Sequence, residues 1–234
     1  YNMGLTCGFF SLFAASLIKA TGNNLAGEAY WFAGSSLFLT LLIPVLSFLL
    51  IALGLISGAG KSINAFLKIQ KQPGRLPSDF IDYTSIGGVF LNAGFIGLLG
   101  SAYIYFTGGD FNGPVIGGLL TIMGFAAFGT HLKNSWPVVA GVILAALVFS
   151  MPLTSPGVQL AVIFCTTLGP VAGEFGIFPG ILAGILHMLM VSQTGSWQGG
   201  MNLYNNGFSG GLTAALIVAV VQWYKSNVKD DKFK

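Results

Sequence analysis

Long apolar blocks separated by short polar segments run along this chain, and each block predicts a membrane-spanning helix. A helix of about 20 apolar residues crosses the hydrocarbon core of a bilayer. Eight blocks predict spans: Gly4–Ala20, Trp31–Ile56, Tyr83–Phe106, Pro114–Gly129, Trp136–Leu153, Gly157–Val171, Ile177–Ser192 and Gly207–Tyr224. The fourth, sixth and seventh blocks are short and interrupted by Gly or Pro, which is typical of re-entrant half-helices. The pattern predicts an all-α fold, a polytopic transmembrane helix bundle of about eight spans, some of them broken or re-entrant.

Composition narrows the class of protein. Of the 234 residues, 54% are hydrophobic and 7% are charged, whereas soluble domains carry roughly 25% charged residues. So few charges cannot cover a water-facing surface, and a soluble globular fold is therefore excluded. The two cysteines, Cys7 and Cys165, lie in apolar runs and offer neither a disulfide framework nor a metal site. We expect no metal, no cofactor and no enzymatic activity.

Basic residues mark one side of the predicted membrane. When the eight spans alternate in direction, nine of the ten Lys and Arg residues share one side, and only Lys19 disagrees. These nine basic residues lie in the segment Ser57–Phe80, at Lys133 and in the tail 225–234. Because cytoplasmic loops are enriched in Lys and Arg, this side and the C-terminus are predicted to be cytoplasmic. Membrane lipids are expected partners, and nucleic acid is not.

An eight-residue motif occurs three times, at residues 1–8, 111–118 and 204–211. An aromatic residue followed by Asn begins each copy, and two small residues end it. An Asn that precedes a helix accepts hydrogen bonds from its free backbone N–H groups, and small residues let neighbouring membrane helices approach closely. Two interpretations stay open: the copies are well-capped, tightly packed helices, or their starts line a shared polar path.

The copies differ in predicted direction. The first runs from the cytoplasm outward and the other two run inward, which is typical of transporters built from inverted repeats. Residues 1–30 are therefore interpreted as the end of a first repeat half that is mostly absent from this chain. Residues 31–234 are the second half, with a cytoplasmic linker at 57–80 and a tail at 225–234. The missing half or a second copy of the chain is an expected partner.

Four further stretches carry a family resemblance: Ser85–Gly94 (SIGGVFLNAG), Gly108–Asn134 (GGDFNGPVIGGLLTIMGFAAFGTHLKN), Phe164–Gly176 (FCTTLGPVAGEFG) and Gly199–Leu212 (GGMNLYNNGFSGGL). Through them the chain resembles the second half of the bacterial membrane family called domain of unknown function 1576. Tyr1–Ala20 resembles the end of that family's first half. The resemblance implies a bacterial inner (plasma) membrane, a topology and the positions of motifs rather than a substrate.

Candidate site residues are the polar residues of the motif and of the spans. Asn112, Asn205 and Asn206 lie at helix starts of the motif. Glu174 follows a Gly-Pro break, where it either binds a cation or carries a proton, or is a solvated turn residue. His187 is the only ionisable residue of its predicted span. It is either a proton relay or solute ligand, or a neutral imidazole bonded to a backbone carbonyl.

Three more polar residues, Asn92, Thr166 and Thr167, complete the candidate set. A buried amide such as Asn92 holds membrane helices together with about 1 kcal/mol. Threonine hydroxyls in helices commonly bond back to the carbonyls of their own helix. Each of the three is therefore either structural or part of a polar path. His131, by contrast, is expected to be a solvated loop or interface residue.

Residues 207–210 (GFSG) fit the G-x-S-G pattern of rhomboid intramembrane proteases, in which Ser attacks a peptide carbonyl and a His accepts its proton. The deep His187 precedes Ser209, whereas the His follows the Ser in rhomboids. With 34 glycines in the chain, a chance match to this pattern is easy. Proteolysis is therefore a remote third hypothesis.

The leading hypothesis is a multi-pass transporter or channel for a small polar solute or ion, with Asn-Gly helix starts lining the site. Internal repeats and polar residues within spans both favour it. The alternative is a non-transporting membrane subunit that binds a partner. A coupled carrier predicts that Glu174 or His187 is required, an uncoupled channel predicts amides without an essential titratable group, and a partner-binding subunit predicts neither.

Overall fold

The computed structural model describes residues 3–23, 25, 34–75, 79–201 and 205–230, and within these ranges all regular secondary structure is helical. The helices are α1 (Met3–Ala20), α2 (Leu37–Ile56), α3 (Ala59–Ile69), α4 (Phe80–Tyr83), α5 (Ile86–Phe106), α6 (Gly113–Phe125), α7 (Leu132–Val148), α8 (Pro156–Cys165), α9 (Gly169–Phe175), α10 (Ile177–Trp197) and α11 (Asn205–Asp230). A 3-10 turn, Thr166–Leu168, joins α8 to α9. The predicted all-α fold is confirmed.

Within the described residues, six segments are long and apolar enough to cross a membrane: α1, α2, α5, the α8–α9 pair, α10 and α11. The chain is therefore a multi-pass membrane protein. The fourth predicted span is α6, whose 13 residues give about 20 Å of helix, short of the roughly 30 Å hydrocarbon core. The seventh predicted span is not short, because α10 continues without a break for 21 residues to Trp197.

Parts of several predictions fall outside the described residues. They are the start of the second span at 31–33, the aromatic-Asn pair at 1–2, Tyr204 of the third motif copy, linker residues 76–78 and the end of the tail at 231–234.

The break between α8 and α9 confirms the predicted interruption of the sixth span, and Pro170 explains it. Proline has no N–H to donate to the carbonyl four residues earlier, which here belongs to Thr166. That carbonyl instead accepts from the backbone N–H of Gly169 and from the hydroxyl of Thr130, at 3.2 Å. Helices α8 and α9 therefore form one bent segment, and the hydrogen bond from Thr130 ties the α6–α7 turn to the bend.

Residues 70–75 follow α3 and pack into one end of the bundle, called here the linker side. The carbonyl of Gln72 lies 2.7 Å from His131 Nε2 at the start of α7. Glu174, near the end of α9, pairs with Arg75. Helix α3 packs against α5, whose first turn lies at the same end. Helices α5, α7 and α10 therefore begin on the linker side, and α6, α8 and α11 begin on the opposite side.

Helices α1 and α11 pack against each other in a reciprocal way. Gly8 leaves room for the ring of Phe208, and a Cβ added at Gly211 would lie 2.9 Å from Leu5. Leu5 and Phe208 are the fifth residues of their motif copies, and Gly8 and Gly211 are the eighth. The same contact is thus made twice with the partners exchanged, as an approximate two-fold axis between antiparallel helices would produce.

Candidate functional site

The predicted site residues fall into three places: Asn92, Thr166, Thr167 and Glu174 on the linker side, Asn112 at the start of α6, and His187, Asn205 and Asn206 where α10 meets α11. The starts of α6 and α11 belong to different groups of helices, since α6 packs chiefly against α5 and α8 and α11 packs chiefly against α1 and α10. The second and third motif copies, at the starts of α6 and α11, are therefore not brought together by direct packing of these two helices.

A group of hydrogen-bonded polar residues on the linker side is called here the linker-side network: Gln70, Asn92, Thr130, His131 and Asn134. At its centre, Asn92 is fully buried. Its Nδ2 donates to the carbonyls of Ala126 at 2.9 Å and Thr130 at 2.8 Å, and its Oδ1 accepts from Gln70 Nε2 at 3.1 Å. The amide therefore ties α5 to the α6–α7 turn and to the end of α3.

His131 and Asn134 cap the start of α7 in a reciprocal pair. Nδ1 of His131 accepts from the Asn134 backbone N–H at 3.3 Å, and Asn134 Oδ1 accepts from the His131 backbone N–H at 2.9 Å. Nε2 of His131 donates to the carbonyl of Gln72. Burial lowers the pKa of His131 and the charge of Lys133 adds to this, while the hydrogen bond to Gln72 opposes both. The expectation of a solvated His131 is wrong, because its side chain is buried.

Thr166 and Thr167 use their hydroxyls within their own helix. Thr166 Oγ1 donates to the carbonyl of Ile163 at 2.9 Å, and Thr167 Oγ1 donates to that of Phe164 at 2.8 Å. This is the back-bonding that is common for threonine in helices. The Thr166 carbonyl, in contrast, connects the α8–α9 break to the linker-side network through Thr130.

Glu174 lies on the linker side and faces residues 70–75. Its Oε1 is 3.4 Å from Arg75 Nη1, and the two side chains are 32% and 68% exposed. A cleft of about 210 Å³ lies beside them, lined by Gln70, Lys71, His131, Lys133, Asn134 and Gly173 among others. The Glu174 carboxylate is therefore partly solvated and belongs to an ion pair on the linker side of the bundle.

Asn112 caps α6 as predicted. Its Oδ1 accepts from the backbone N–H of Val115 at 3.1 Å, and its side chain is buried within the protein. The preceding backbone N–H, of Phe111, donates to the hydroxyl of Ser35 at 2.7 Å. These bonds fix the entry of the chain into the short helix.

Five polar residues near the α10–α11 connection are called here the α10–α11 polar cluster: His187, Gln198, Asn205, Asn206 and Ser209. His187 is 1% exposed in the middle of α10. Its Nδ1 lies 3.2 Å from Ser209 Oγ, which also lies 3.2 Å from the carbonyl of Asn206. The Asn206 side chain lies within hydrogen-bonding reach of the same imidazole. Two residues of α11, Asn206 and Ser209, thus contact one buried ring of α10.

Four buried polar atoms of this cluster have no hydrogen-bond partner among the described residues: His187 Nε2, Gln198 Oε1, Asn205 Oδ1 and Asn206 Oδ1. Gln198 is fully buried, and its other amide atom, Nε2, donates to the carbonyl of Gly8 in α1 at 3.1 Å. Asn205 is the first residue of α11, and its Oδ1 accepts no bond from the described part of the chain. The prediction that Asn205 caps this helix is therefore wrong.

Sequence reasoning missed two members of the cluster. Ser209 was considered only as the serine of the G-x-S-G pattern, and its pairing with His187 was given little weight because His187 precedes Ser209 in the chain. Gln198 falls in a connection that was predicted to be outside the membrane, and a glutamine at a span end gives no sign of burial. The contact between Gln198 and the Gly8 carbonyl needs α1 and α11 to be packed together first.

The family model described as "Protein of unknown function (DUF1576)" matches residues 59–223, which is more than half of the chain. The chain therefore belongs to this family, as its sequence motifs predicted. No curated protein and no solved structure matches the chain.

Proposed function

We propose that this protein is a transporter or channel for a small polar solute or ion and that the α10–α11 polar cluster lies on its path. The single observation that carries the proposal is the group of four buried polar atoms without partners among the described residues. Leaving such an atom unpaired costs roughly 1–3 kcal/mol, so buried polar groups are normally paired with protein, water or a ligand. Polar groups at this depth in membrane helices commonly mark solute paths.

The reciprocal contact of α1 with α11 supports an inverted-repeat architecture for the transporter. Inverted repeats are related by an approximate two-fold axis in the membrane plane, with substrate sites near the repeat interface. The pairs Gly8–Phe208 and Leu5–Gly211 have this exchanged relation, and the α10–α11 polar cluster reaches the same interface through Gln198. On this proposal α1 ends one repeat and α11 ends the other.

One observation favours a different function, hydrolysis by a Ser-His pair. Ser209 Oγ and His187 Nδ1 are within hydrogen-bonding distance inside a G-x-S-G pattern. A catalytic Ser must give its proton to the His and present its oxygen to a substrate. Ser209 is fully buried, and its hydroxyl donates a hydrogen bond to the carbonyl of Asn206, which holds the proton away from His187. We therefore favour transport over catalysis, and covalent labelling of Ser209 by a fluorophosphonate would reverse that preference.

The test of transport uses the purified chain in sealed vesicles, with uptake of small neutral and charged solutes followed by swelling or by isotope. We expect at least one solute to enter faster than in protein-free vesicles. His187→Phe and Asn206→Leu should each reduce that uptake about tenfold or more, because both face the proposed path. Asn64→Leu is the matched control, since Asn64 is exposed on α3.

Glu174→Gln separates the two modes of transport. A coupled carrier that uses this carboxylate loses uptake in the variant, whereas an uncoupled channel does not. If no solute enters faster than in protein-free vesicles under any gradient, the transport proposal fails and the partner-binding subunit is favoured.

We also propose that the linker side faces the cytoplasm of a bacterial cell, because nine of the ten basic residues are predicted to lie there. Single cysteines at Lys68 and Asp110 test this, in a background where Cys7 and Cys165 are replaced. An impermeant thiol reagent added to intact cells should label Asp110→Cys and spare Lys68→Cys. The reverse pattern would invert the proposed orientation.

A further inference from the structure

The cleft of about 210 Å³ on the linker side is called here the linker-side cleft, and four parts of the chain enclose it. They are residues 70–72 after α3, the start of α7, the end of α9 and the start of α10. Two buried residues, Pro137 and Ala172, also line it, and Gly180 lets α10 pack closely against both. The volume equals that of about seven water molecules in the liquid, so a phosphate group fits inside.

Two lysines give the linker-side cleft a positive charge. Lys71 and Lys133 both line it and both are exposed, and neither forms an ion pair within the described part of the chain. The carboxylate beside the cleft belongs to Glu174, and it is paired with Arg75. The two ammonium groups therefore have no counter-charge in the described residues, and their charge is complementary to that of an anion.

Two helices also begin at the linker-side cleft. The starts of α7 and α10 line it, so the positive ends of both helix dipoles lie there. The residue before α10 is Gly176, which has no side chain to cap the helix. The first backbone N–H groups of a helix have no partner within it, and such groups attract anions. The helix starts therefore add to the attraction that the two lysines exert.

An apolar border lies on another side of the same cleft. Trp136 and Ile177 line it and are 49% and 55% exposed, and the neighbouring Phe178 is 77% exposed. Trp is enriched where the hydrocarbon of a bilayer meets the head groups. Trp136 is the fifth residue of α7, about 6 Å along the axis from its first residue. Positive charge and exposed apolar surface therefore meet within the first two turns of these helices.

We infer that the linker-side cleft binds the head group of an anionic phospholipid. The phosphate lies between the ammonium groups of Lys71 and Lys133, and the acyl chains run past Trp136 and Ile177 into the bilayer. Basic pockets between membrane helices bind such head groups in other proteins. A soluble phosphate would meet the same charges but would leave the apolar border uncovered, so the lipid is the favoured source. The inference does not depend on transport.

Trp136 reports on the linker-side cleft directly. The chain has four tryptophans, so replacing Trp31, Trp197 and Trp223 with Phe leaves Trp136 alone. The protein is placed in phosphatidylcholine vesicles that contain a small fraction of phosphatidylglycerol, and bromines on the acyl chains of one lipid or the other quench nearby tryptophan. Phosphatidylglycerol should be enriched beside Trp136 at least about tenfold over the bulk bilayer. Equal quenching by the two lipids at equal fractions would overturn the inference.

A chain that keeps Trp197 as its only tryptophan is the matched control. Trp197 is 42% exposed and ends α10, on the side opposite the linker-side cleft. The two brominated lipids should quench it equally, because the control tryptophan is remote from Lys71 and Lys133. Enrichment of phosphatidylglycerol at Trp197 as strong as that at Trp136 would contradict a local site.

Charge-removing variants in the Trp136 background test the two lysines. Lys71→Gln and Lys133→Gln should each lower the enrichment of phosphatidylglycerol about fivefold, and the double variant should abolish it. Lys61→Gln is the matched control, because Lys61 is an exposed lysine in the first turn of α3 that does not line the cleft. It should keep the enrichment of the parent. An equal loss in Lys61→Gln would mean that the basic surface as a whole attracts lipid, which would contradict the inference.

Free phosphate distinguishes the two sources of the phosphate group. In detergent micelles with brominated phosphatidylglycerol bound, sodium phosphate should restore the fluorescence of Trp136 no more than sodium chloride of equal ionic strength does. Stronger restoration by phosphate would assign the cleft to a soluble anion and overturn the lipid assignment.

Native mass spectrometry repeats the comparison on chains that keep all four tryptophans. One phosphatidylglycerol should stay bound to the parent and to Lys61→Gln, whereas phosphatidylcholine should not. The variant that combines Lys71→Gln with Lys133→Gln should lose the bound lipid. Retention of phosphatidylglycerol by that double variant would overturn the inference.

Discussion

The linker-side network and the α10–α11 polar cluster are built from similar residues and are bonded in opposite ways. Both contain a buried imidazole and at least one buried amide. In the network, Asn92 and His131 each use the polar atoms of their side chains on protein partners. In the cluster, His187 and Asn206 each leave an atom without a partner among the described residues.

This difference separates structural polar groups from those available to a solute. An amide that has all its partners, such as Asn92, gains nothing from a ligand and holds its neighbours in place. An amide with an unpaired oxygen, such as that of Asn206, gains a hydrogen bond when a donor arrives. Whether the polar atoms of a side chain have hydrogen-bond partners in the protein therefore indicates whether it belongs to a solute site. Neither the residue type nor its depth in the bundle gives that indication.

The largest expected effect breaks the network at its centre. Asn92→Leu leaves the Ala126 carbonyl and Gln70 Nε2 without this partner, so we expect a loss of about 2–4 kcal/mol in the free energy of unfolding. Asn206→Leu is the comparison, and it should change that free energy by about 0.5 kcal/mol or less because the lost amide oxygen was unpaired. Denaturation of the purified protein in mixed detergent micelles measures both. Equal losses in the two variants would remove the distinction between the regions.

An intermediate effect concerns the pH dependence of stability. Burial lowers the pKa of His131 in the folded protein, so the unfolded state binds the proton more readily. Stability from the neutral imidazole is then present above the unfolded pKa, near 6.5, and is lost as the pH falls below it. The melting temperature of the parent should fall more steeply from pH 7.5 to 5.5 than that of His131→Asn, which keeps a cap but does not titrate. Parallel pH profiles would contradict this.

The smallest effect is expected at the ion pair of Arg75 and Glu174. Because the arginine side chain is 68% exposed and the glutamate 32% exposed, solvent screens the pair, and Glu174→Gln should cost less than about 1 kcal/mol in the free energy of unfolding. The measured stability should approach that of the parent at high salt. A loss as large as that of Asn92→Leu would place Glu174 within the structural network after all.

Much of the fold could be predicted from hydrophobic blocks, because span length is set by the bilayer and not by tertiary contacts. The break at Pro170 was visible for the same reason, since a missing N–H is a local property. The full length of α10 was not visible, because Ser192, Gln193 and Thr194 are polar and look like a loop. In the structure the hydroxyls of Ser192 and Thr194 bond to carbonyls of their own helix, which lets the helix continue.

The candidate site was predictable only in part. Capping by Asn112 follows from local sequence, since the cap and the N–H that it accepts lie three residues apart. The contacts of His187 with Ser209 and of Gln198 with Gly8 join residues 22 and 190 positions apart, so they depend on how helices pack. Sequence also suggested equal roles for Asn112 and Asn205. In the structure the side chain of Asn112 caps its helix, whereas Asn205 Oδ1 has no partner among the described residues.

The shortness of α6 has an electrical consequence. With 13 residues, α6 ends about 10 Å short of the thickness of the hydrocarbon core. The polar α6–α7 turn follows α6 on the linker side, where His131 and Asn134 also line the linker-side cleft of about 210 Å³. A membrane voltage falls mainly across the low-dielectric layer, where 100 mV is worth about 2.3 kcal/mol per elementary charge. If water reaches both ends of α6, the voltage falls over about two-thirds of the usual thickness, and the field along α6 is then steeper than through the lipid around it.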